Sequence, residues 1–484
     1  MFDYSIILVN DEKDLNLFSI SNAFSLIGSI TSEIKILARE SLSTESKLRI
    51  DEYLSLNTHK FNVNQSTDLS CEKALDEYLI EKPILIVVIG DISWINSYLT
   101  RRCITNQSGH KWQVVSSEYA RYRLIENQRQ ISDYIPNDTS EWILELIKKH
   151  SVEEILNSLK RIKGLKIVII GEVIIDEYII SEALGKTSKD PLLAFLKRDV
   201  KIQAGGIFAC ARHAVGLGAT VEIFSAINKK DLYFFEKLKT PNLNFNFLFW
   251  ENAPTIRKTR FIDSVSNNKV FESYEMNIDR QEIEFESYLI GSDSTLKEAD
   301  LILIFDYGHG LLTNSTVSLL SKYGSKVYVN AQSNAGNRGF NPISKYSGFK
   351  TMFMNGSEVS LEMRQKSIDI NSVGRELVKN LQAESIFVTN GSSGVTKISS
   401  DGTAVNFPAF APTIVDRTGA GDALMVTIAL LNVAGIDDDI SGYYGNLSGS
   451  VVISSIGNEK VIETEELIQM SRDILRKTMG ETAI

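Results

Sequence analysis

The residues Asp416-Arg417-Thr418-Gly419-Ala420-Gly421-Asp422 run without a break into the apolar stretch Ala423 to Leu431. Residues with almost no side chain, leading straight into a helix that must be buried, make a place for an anion. The first amides of a helix have no intrahelical partner, and the helix dipole adds positive potential at the same point. Asp422 falls in that first turn, where a carboxylate costs little to keep ionised. The pattern predicts a base beside bound phosphate, the layout of a phosphotransferase.

By itself a Gly-Ala-Gly-Asp match is equally what a tight turn into a core helix looks like. The other chemistry-bearing residues come in a set order around it. Asp176 follows a strand candidate at Leu165 to Gly171, and Gly205-Gly206 opens a helix. Asp306-Tyr307-Gly308-His309-Gly310 ends a strand, Asn355-Gly356-Ser357-Glu358 ends another, and Thr389-Asn390-Gly391-Ser392-Ser393-Gly394 ends a third. In a parallel α/β sheet the loops after the strands gather at one edge, so these groups are expected to converge in one crevice.

The elements that must position them are legible as alternating patterns. Leu165–Gly171, Leu301–Phe305, Val327–Val329, Thr351–Met354 and Ile386–Thr389 are strand-length apolar runs, each followed by helix-like sequence. Pro191 to Gln203 and Thr255 to Met276 break the alternation; both are β-rich and charged and predict a small sheet projecting from the main fold. Nearer the N-terminus, Tyr4–Val9, Ile84–Ile89 and Trp112–Val115 predict strands, Leu15–Ile27 and Cys71–Glu81 predict helices, and this alternation suggests a smaller, largely parallel α/β domain. Thr139 to about Lys163 is helical and charged and is expected to connect the two.

Composition narrows the class. A chain of 484 residues predicts two domains. Its 43% hydrophobic and 23% charged residues are those of a soluble globular protein. A formal charge of −10 and a pI near 5.3 argue against a nucleic-acid partner, while a local basic pocket for a phosphorylated metabolite stays compatible with them. Cys71, Cys103 and Cys210 have no metal-ligand or disulfide spacing, which points to a reducing cytoplasm. The opening Met1-Phe2-Asp3-Tyr4 has an acid where a signal peptide wants bases, and the apolar runs fall far below the roughly 20 residues of a membrane span.

From about Leu165 onward the chain resembles the ribokinase-like (PfkB) family of carbohydrate kinases, and within it the heptose-phosphate kinases of bacterial surface-polysaccharide pathways. Asn330-Ala331-Gln332-Ser333-Asn334 through Gly339-Phe340-Asn341 resembles a signature of one sub-branch. The resemblance implies an α/β, ribokinase-like three-layer fold with a small β lid over residues 164–484. A helical connector over 136–163 and a smaller Rossmann-like α/β domain over 1–135 would precede it. It implies ATP and Mg²⁺ as cofactors, and a hydroxyl of a sugar or sugar phosphate, a heptose phosphate among them, as acceptor.

It also implies roles. Asp422 would be the general base, and the amides of Gly419, Ala420 and Gly421 would stabilise the transferring group. Asn355 and Glu358 match the family's Asn-x-x-Glu element, which holds Mg²⁺ and phosphate through water, so Glu358 is the expected water-mediated magnesium residue. Thr389, Gly391, Gly394 and Thr418 would border the nucleotide, with Asn446 and Asn458 lining the adenine pocket. Asp176, Gly205 and Gly206 match sugar-binding positions, and Asp306 would hold another hydroxyl. Lys186, Lys189, Arg257, Lys258 and Arg260 are either a subsite for a phosphate already on the sugar or solvated lid charges.

Three residues depart from the family pattern. Arg417 stands where a small Thr or Ser is usual, Glu172 where Asp is usual, and Ala209 where many relatives place a sugar-binding Asn. His309 replaces a residue that is often Lys, and His213 and Cys210 suit a core equally well. A catalytically silent sugar- or nucleotide-binding protein on the same fold is therefore the alternative reading. A bifunctional kinase and nucleotidyltransferase is disfavoured, because that second chemistry needs a His-x-Gly-His turn and His59 and His110 stand alone. The N-terminal domain is expected to be non-catalytic and to serve dimerisation, docking to pathway enzymes or regulation. The expected partners are thus a small-molecule sugar and a second copy of the chain, with no nucleic acid and no membrane.

Overall fold

The computed structural model describes residues 137–480, apart from 191, 265–267, 277–284, 367 and 411–415, together with five strands nearer the N-terminus. The chain divides into two compact units, Met1–Gln130 and Ile131–Ile484.

In the first unit, β1 (Tyr4–Val9), β2 (Ile34–Ala38), β3 (Val63–Gln65), β4 (Ile84–Ile89) and β5 (Trp112–Ser116) form a parallel sheet. Their order is β3-β2-β1-β4-β5, which reverses direction between β1 and β4. The helices expected at Leu15–Ile27 and Cys71–Glu81, with His59 and His110, lie outside the described residues.

The second unit is built on a nine-stranded sheet of order β10-β9-β6-β13-β14-β15-β16-β17-β18. The strands are β6 (Lys166–Gly171), β9 (Thr220–Ile227), β10 (Leu243–Phe249), β13 (Leu301–Asp306), β14 (Val327–Ala331), β15 (Thr351–Asn355), β16 (Ser385–Thr389), β17 (Val395–Ser399) and β18 (Ala404–Phe407). All pairings are parallel except the two that join β16, β17 and β18. Central strands of a parallel sheet are covered on both faces, which is why β13 reads Leu-Ile-Leu-Ile-Phe-Asp and is buried throughout. Side chains alternate between faces. Ile167, Ile169, Leu301, Leu303 and Phe305 enter one core, and Val168, Ile170, Ile302 and Ile304 enter the other. Helices complete both layers, but β14 reaches β15, and β16 reaches β17, without the α-helix that the sequence predicts after each.

On the first face lie α1 (Asn137–Lys149), α2 (Val152–Ser158), α3 (Ile207–Gly216) and, introduced below, the helix that follows the anion loop. The stretch expected to be a connector is thus packed: Ile143, Ile155, Leu159 and Ile162 are fully buried, and the Tyr444 phenol donates to Ile155 O at 3.0 Å. On the second face lie α4 (Gly356–Met363) and α5 (Ile370–Leu381). The first face closes with α6 (Ala420–Val433), α7 (Asp438–Val452) and α8 (Thr464–Thr478). Ala423 to Leu431 of α6 is buried all round, as an evenly apolar helix must be.

A second sheet, order β12-β11-β7-β8, stands apart from the first. It consists of β7 (Val173–Lys186), β8 (Leu193–Gly206), β11 (Arg257–Asp263) and β12 (Lys269–Glu275). Both β-rich stretches of the sequence are in it, but so is β7, whose far half stays paired with β8, through two register shifts, well beyond the apolar run that announces it. Among the described residues no helix is long and apolar enough to cross a membrane.

Candidate active site

The helix α6 begins where the glycines place it. Gly419 precedes its first turn with φ +82°, a conformation that penalises any Cβ. Nothing lies within 4 Å of where a Cβ on Gly421 would stand, so the first turn borders open space at that residue. Asp422 is half-buried, and its Oδ2 accepts a hydrogen bond from the Tyr307 phenol at 3.1 Å. Protein surrounds the carboxyl on most sides while leaving it reachable by solvent. Loss of hydration pushes its pKa up to about 6; the Tyr307 bond and the Lys258 charge act downward, and the Asp176 charge acts upward.

Asp176, on β7, is 3% exposed and is held from two sides. Its Oδ1 accepts from Arg260 Nη1 and its Oδ2 from Asn458 Nδ2 at 2.8 Å. Gly205 makes room for this arrangement, since a Cβ there would stand 1.8 Å from Asp176 Oδ2 and 2.8 Å from Asn458 Nδ2. Gly206, at φ +59°, allows β8 to turn into α3 against Glu172 O. We expect Gly205→Ala to displace Asp176 and raise the KM for the acceptor by roughly 10- to 100-fold, while nucleotide binding measured by calorimetry stays unchanged.

Asn458, expected to line an adenine pocket, is engaged within the protein. Its Nδ2 is on Asp176, and its Oδ1 lies 3.0 Å from where a Gly419 Cβ would be. It therefore joins the anion loop to the Asp176 carboxylate. Its position is set from a distance, by the backbone bond from Asn458 N to Gln203 Oε1 at 2.8 Å. Asn446 is committed within α7 and its neighbour: its Nδ2 donates to Gly442 O at 3.1 Å and Phe407 O at 3.2 Å.

The cations expected to hold a substrate phosphate separate into three fates. Lys186 lies ten residues beyond Asp176 on β7, about 30 Å away at the rise of an extended strand. Lys186 and Lys189 are exposed at that far end, and neither reaches the crevice within one chain. Arg260 is mostly buried and spends its guanidinium on Asp176 and, at 3.2 Å from Nε, on Glu272, so it holds a protein carboxylate. Lys258 pairs in register with Asp176 and is 5% exposed, its Nζ over the rings of Tyr274 at 5.3 Å and Tyr307 at 5.9 Å. Burial lowers its pKa, and the charges of Asp176, Glu272 and Glu172 act against that.

Beneath the crevice Asp306 is 1% exposed and already satisfied. It accepts from Lys345 Nζ, from the Tyr346 phenol at 2.8 Å and from Gly308 N at 2.9 Å. A carboxylate so engaged is not presented to a sugar hydroxyl, which corrects the expectation for this residue. Glu172 accepts from the amides of Tyr307 at 3.0 Å and His309 at 3.1 Å; burial, with the Asp306 charge adding, raises its pKa. The Asn-rich stretch after β14 closes the same turn: Asn334 and Asn337 donate to Tyr307 O at 2.7 and 3.0 Å, and Asn341 donates to Asp306 O at 2.9 Å. His213 accepts from Ile462 N at 3.3 Å in the core, and burial drops its pKa to about 3.

On the other side of the loop, Asn355 and Glu358 form a capping box at the start of α4. Glu358 Oε2 accepts from Asn355 N at 2.8 Å, its Oε1 accepts from Ser333 N at 3.0 Å, and Asn355 Oδ1 accepts from Glu358 N at 2.9 Å. Burial raises the pKa of Glu358, and the charge of Asp422 adds to that. Each Glu358 oxygen keeps a free lone pair, in surroundings a hydrated cation would relieve, so this pair fits a magnesium held through water. Thr389 ends β16. Gly391 opens onto free space, while a Cβ on Gly394 would stand 2.0 Å from Phe407 O. Thr418 donates to Asp416 Oδ1 at 2.8 Å and accepts from Lys269 Nζ at 2.9 Å, so a lid-strand lysine touches the anion loop. Arg417 is exposed, and among the described residues nothing pairs with it.

A nine-stranded sheet with an anion loop at its edge and a four-stranded lid beside it is the frame of a sugar kinase. Residues 165–465 match the model of the pfkB family of carbohydrate kinases, and the chain belongs to that family. Its curated relatives include the bifunctional protein HldE of Koribacter versatilis, 24% identical over 307 residues, and that of Coxiella burnetii strain Dugway 5J108-111, 25% identical over 308. Each match covers 62% of this chain and 62% of the relative, so the likeness spans less than two thirds of those proteins. The fold is shared with Arabidopsis thaliana ribokinase, solved with ribose and ATP, at 15% identity and TM-score 0.51 over 64% of this chain and 99% of that one. A microbiome-derived acarbose kinase is similar at 12% identity and TM-score 0.50, over 64% of this chain and all of that one.

Proposed function

We propose that this protein transfers the γ-phosphate of ATP to a hydroxyl of a sugar or sugar phosphate, with a heptose phosphate the first acceptor to try. The observation that carries this reading is the contact chain from Gly419 through Asn458 to Asp176. It brings the glycine loop beside Asp176, whose charge acts on Asp422, and Asp176 would hold the acceptor there. Asp422 would take the proton of the acceptor hydroxyl as that oxygen bonds to the γ-phosphorus. The bond from the γ-phosphorus to the β–γ bridging oxygen breaks, and ADP leaves. The amides of Gly419, Ala420 and Gly421 would carry the charge on the transferring group. Magnesium, when bound, supplies charge neutralisation on the nucleotide phosphates; Asn355 and Glu358 would hold its waters.

The test is ADP release with ATP and magnesium across hexoses, heptoses and their phosphates. Stimulation by one acceptor supports the reading. If none stimulates release while nucleotide still raises the melting temperature, the protein is the silent binder. With an acceptor in hand, kcat/KM should be flat above about pH 7 and fall close to tenfold per unit below the Asp422 pKa of about 6, since only the ionised carboxylate accepts a proton.

For the first unit we infer a Rossmann-like domain without nucleotidyl-transfer activity, a reading supported by its strand order and by the lone His59 and His110. Its proposed part is in pairing two copies of the chain or in docking to other enzymes of a cytoplasmic pathway. Pyrophosphate release from nucleoside triphosphate and sugar 1-phosphate would overturn the inactive reading.

A further inference from the structure

We propose that Tyr307 is a positioning residue for Asp422: its phenol fixes one carboxylate oxygen and leaves the other for the acceptor hydroxyl. This rests on the reading of Asp422 as the base. The geometry is specific. The phenol oxygen lies 3.1 Å from Asp422 Oδ2 and 3.7 Å from Cys210 Sγ, and Tyr307 is 4% exposed. The donor side of the bond is therefore shielded from water.

The backbone of Tyr307 is pinned more heavily than a core tyrosine needs. Its N–H donates to Glu172 Oε2 at 3.0 Å, and its carbonyl accepts from both Asn334 and Asn337. Glu172 and the Asn-rich stretch, two sequence features otherwise without a task, thus converge on the residue that touches Asp422. Positioning a carboxylate to within a fraction of an ångström is worth the cost of burying a Glu, because misplacement of a base by about 1 Å can cost 10²-fold in rate. The hydroxyl of Tyr307 donates to the carboxylate, a charge-assisted bond that favours the ionised form.

Other groups face Asp422 from each packed element. Lys258 on β11 favours its charge, and Asp176 on β7 opposes it. Glu358 on α4 and Cys210 on α3 also feel its charge. Among the described residues, the side-chain hydrogen bond to Asp422 comes from Tyr307.

The experiment uses the full chain labelled with ¹³C at the aspartate carboxyls, with the Asp422 signal assigned by its loss in Asp422→Asn. In Tyr307→Phe the Asp422 midpoint should rise by about one unit or more, a tenfold or greater change in its proton affinity. The acid limb of kcat/KM should move with it, while the KM for ATP stays unchanged. A merely structural tyrosine would change stability and leave the midpoint alone; an unmoved midpoint overturns the proposal.

A second measurement does not depend on that variant folding. With tyrosine ¹³Cζ labels in the wild-type chain, one signal should follow the Asp422 midpoint and cease to titrate in Asp422→Asn. If no tyrosine signal does so, the proposal fails. A coupled pair in a protein that phosphorylates no acceptor would overturn the base reading instead, so the two failures are separable.

Discussion

Asp422→Asn should lower turnover by roughly 10²–10⁴ and leave nucleotide affinity within a few-fold of wild type. The substitution keeps the shape of the side chain and the hydrogen bond from Tyr307, which the amide oxygen can still accept. What it removes is the acidic group in the first turn of α6. Initial rates at saturating ATP and acceptor, with calorimetry for nucleotide, check it. Turnover within twofold of wild type would take Asp422 out of the chemistry.

Lys345→Met should cost about 3–5 kcal/mol of stability, read from denaturant midpoints. Lys345 Nζ donates to Asp306, to Leu312 O at 3.0 Å and to Asn341 Oδ1 at 3.1 Å. Its loss leaves Asp306 buried beside Glu172, another carboxylate, with only Tyr346 and Gly308 to solvate it. A loss below about 1 kcal/mol would mean that the Lys345–Asp306 pair does not hold this part of the fold.

These two acids show where sequence reasoning succeeds and where it stops. Both sit at the active edge of the sheet, one ending a strand and one starting a helix, and by local pattern both are candidates for substrate contact. Their fates are decided by residues far away in the chain: Lys345, 39 positions from Asp306, and Tyr307, 115 positions from Asp422. Lys186 and Lys189 failed for a related reason. Their charge and their place next to a β-rich stretch were legible, but the length of β7 carries them away from the crevice. Tyr307 was in plain view beside Asp306, yet a tyrosine after an apolar strand carries no signal of what its hydroxyl will meet.

The amino-acid sequence by itself determined five of the nine strands of the main sheet, the start of α6 and the glycines at its entrance. Those features depend on contiguous residues: burial on both faces demands unbroken apolar runs, and a positive φ before a helix demands glycine. Only the tertiary structure decided that Asn458 bridges the anion loop to Asp176, that Arg260 neutralises a protein carboxylate, and that Glu172 with Asn334 and Asn337 grips Tyr307. Each of those outcomes is a hydrogen bond between segments tens to hundreds of residues apart, and a hydrogen bond is chosen by distance and burial, which no local pattern encodes.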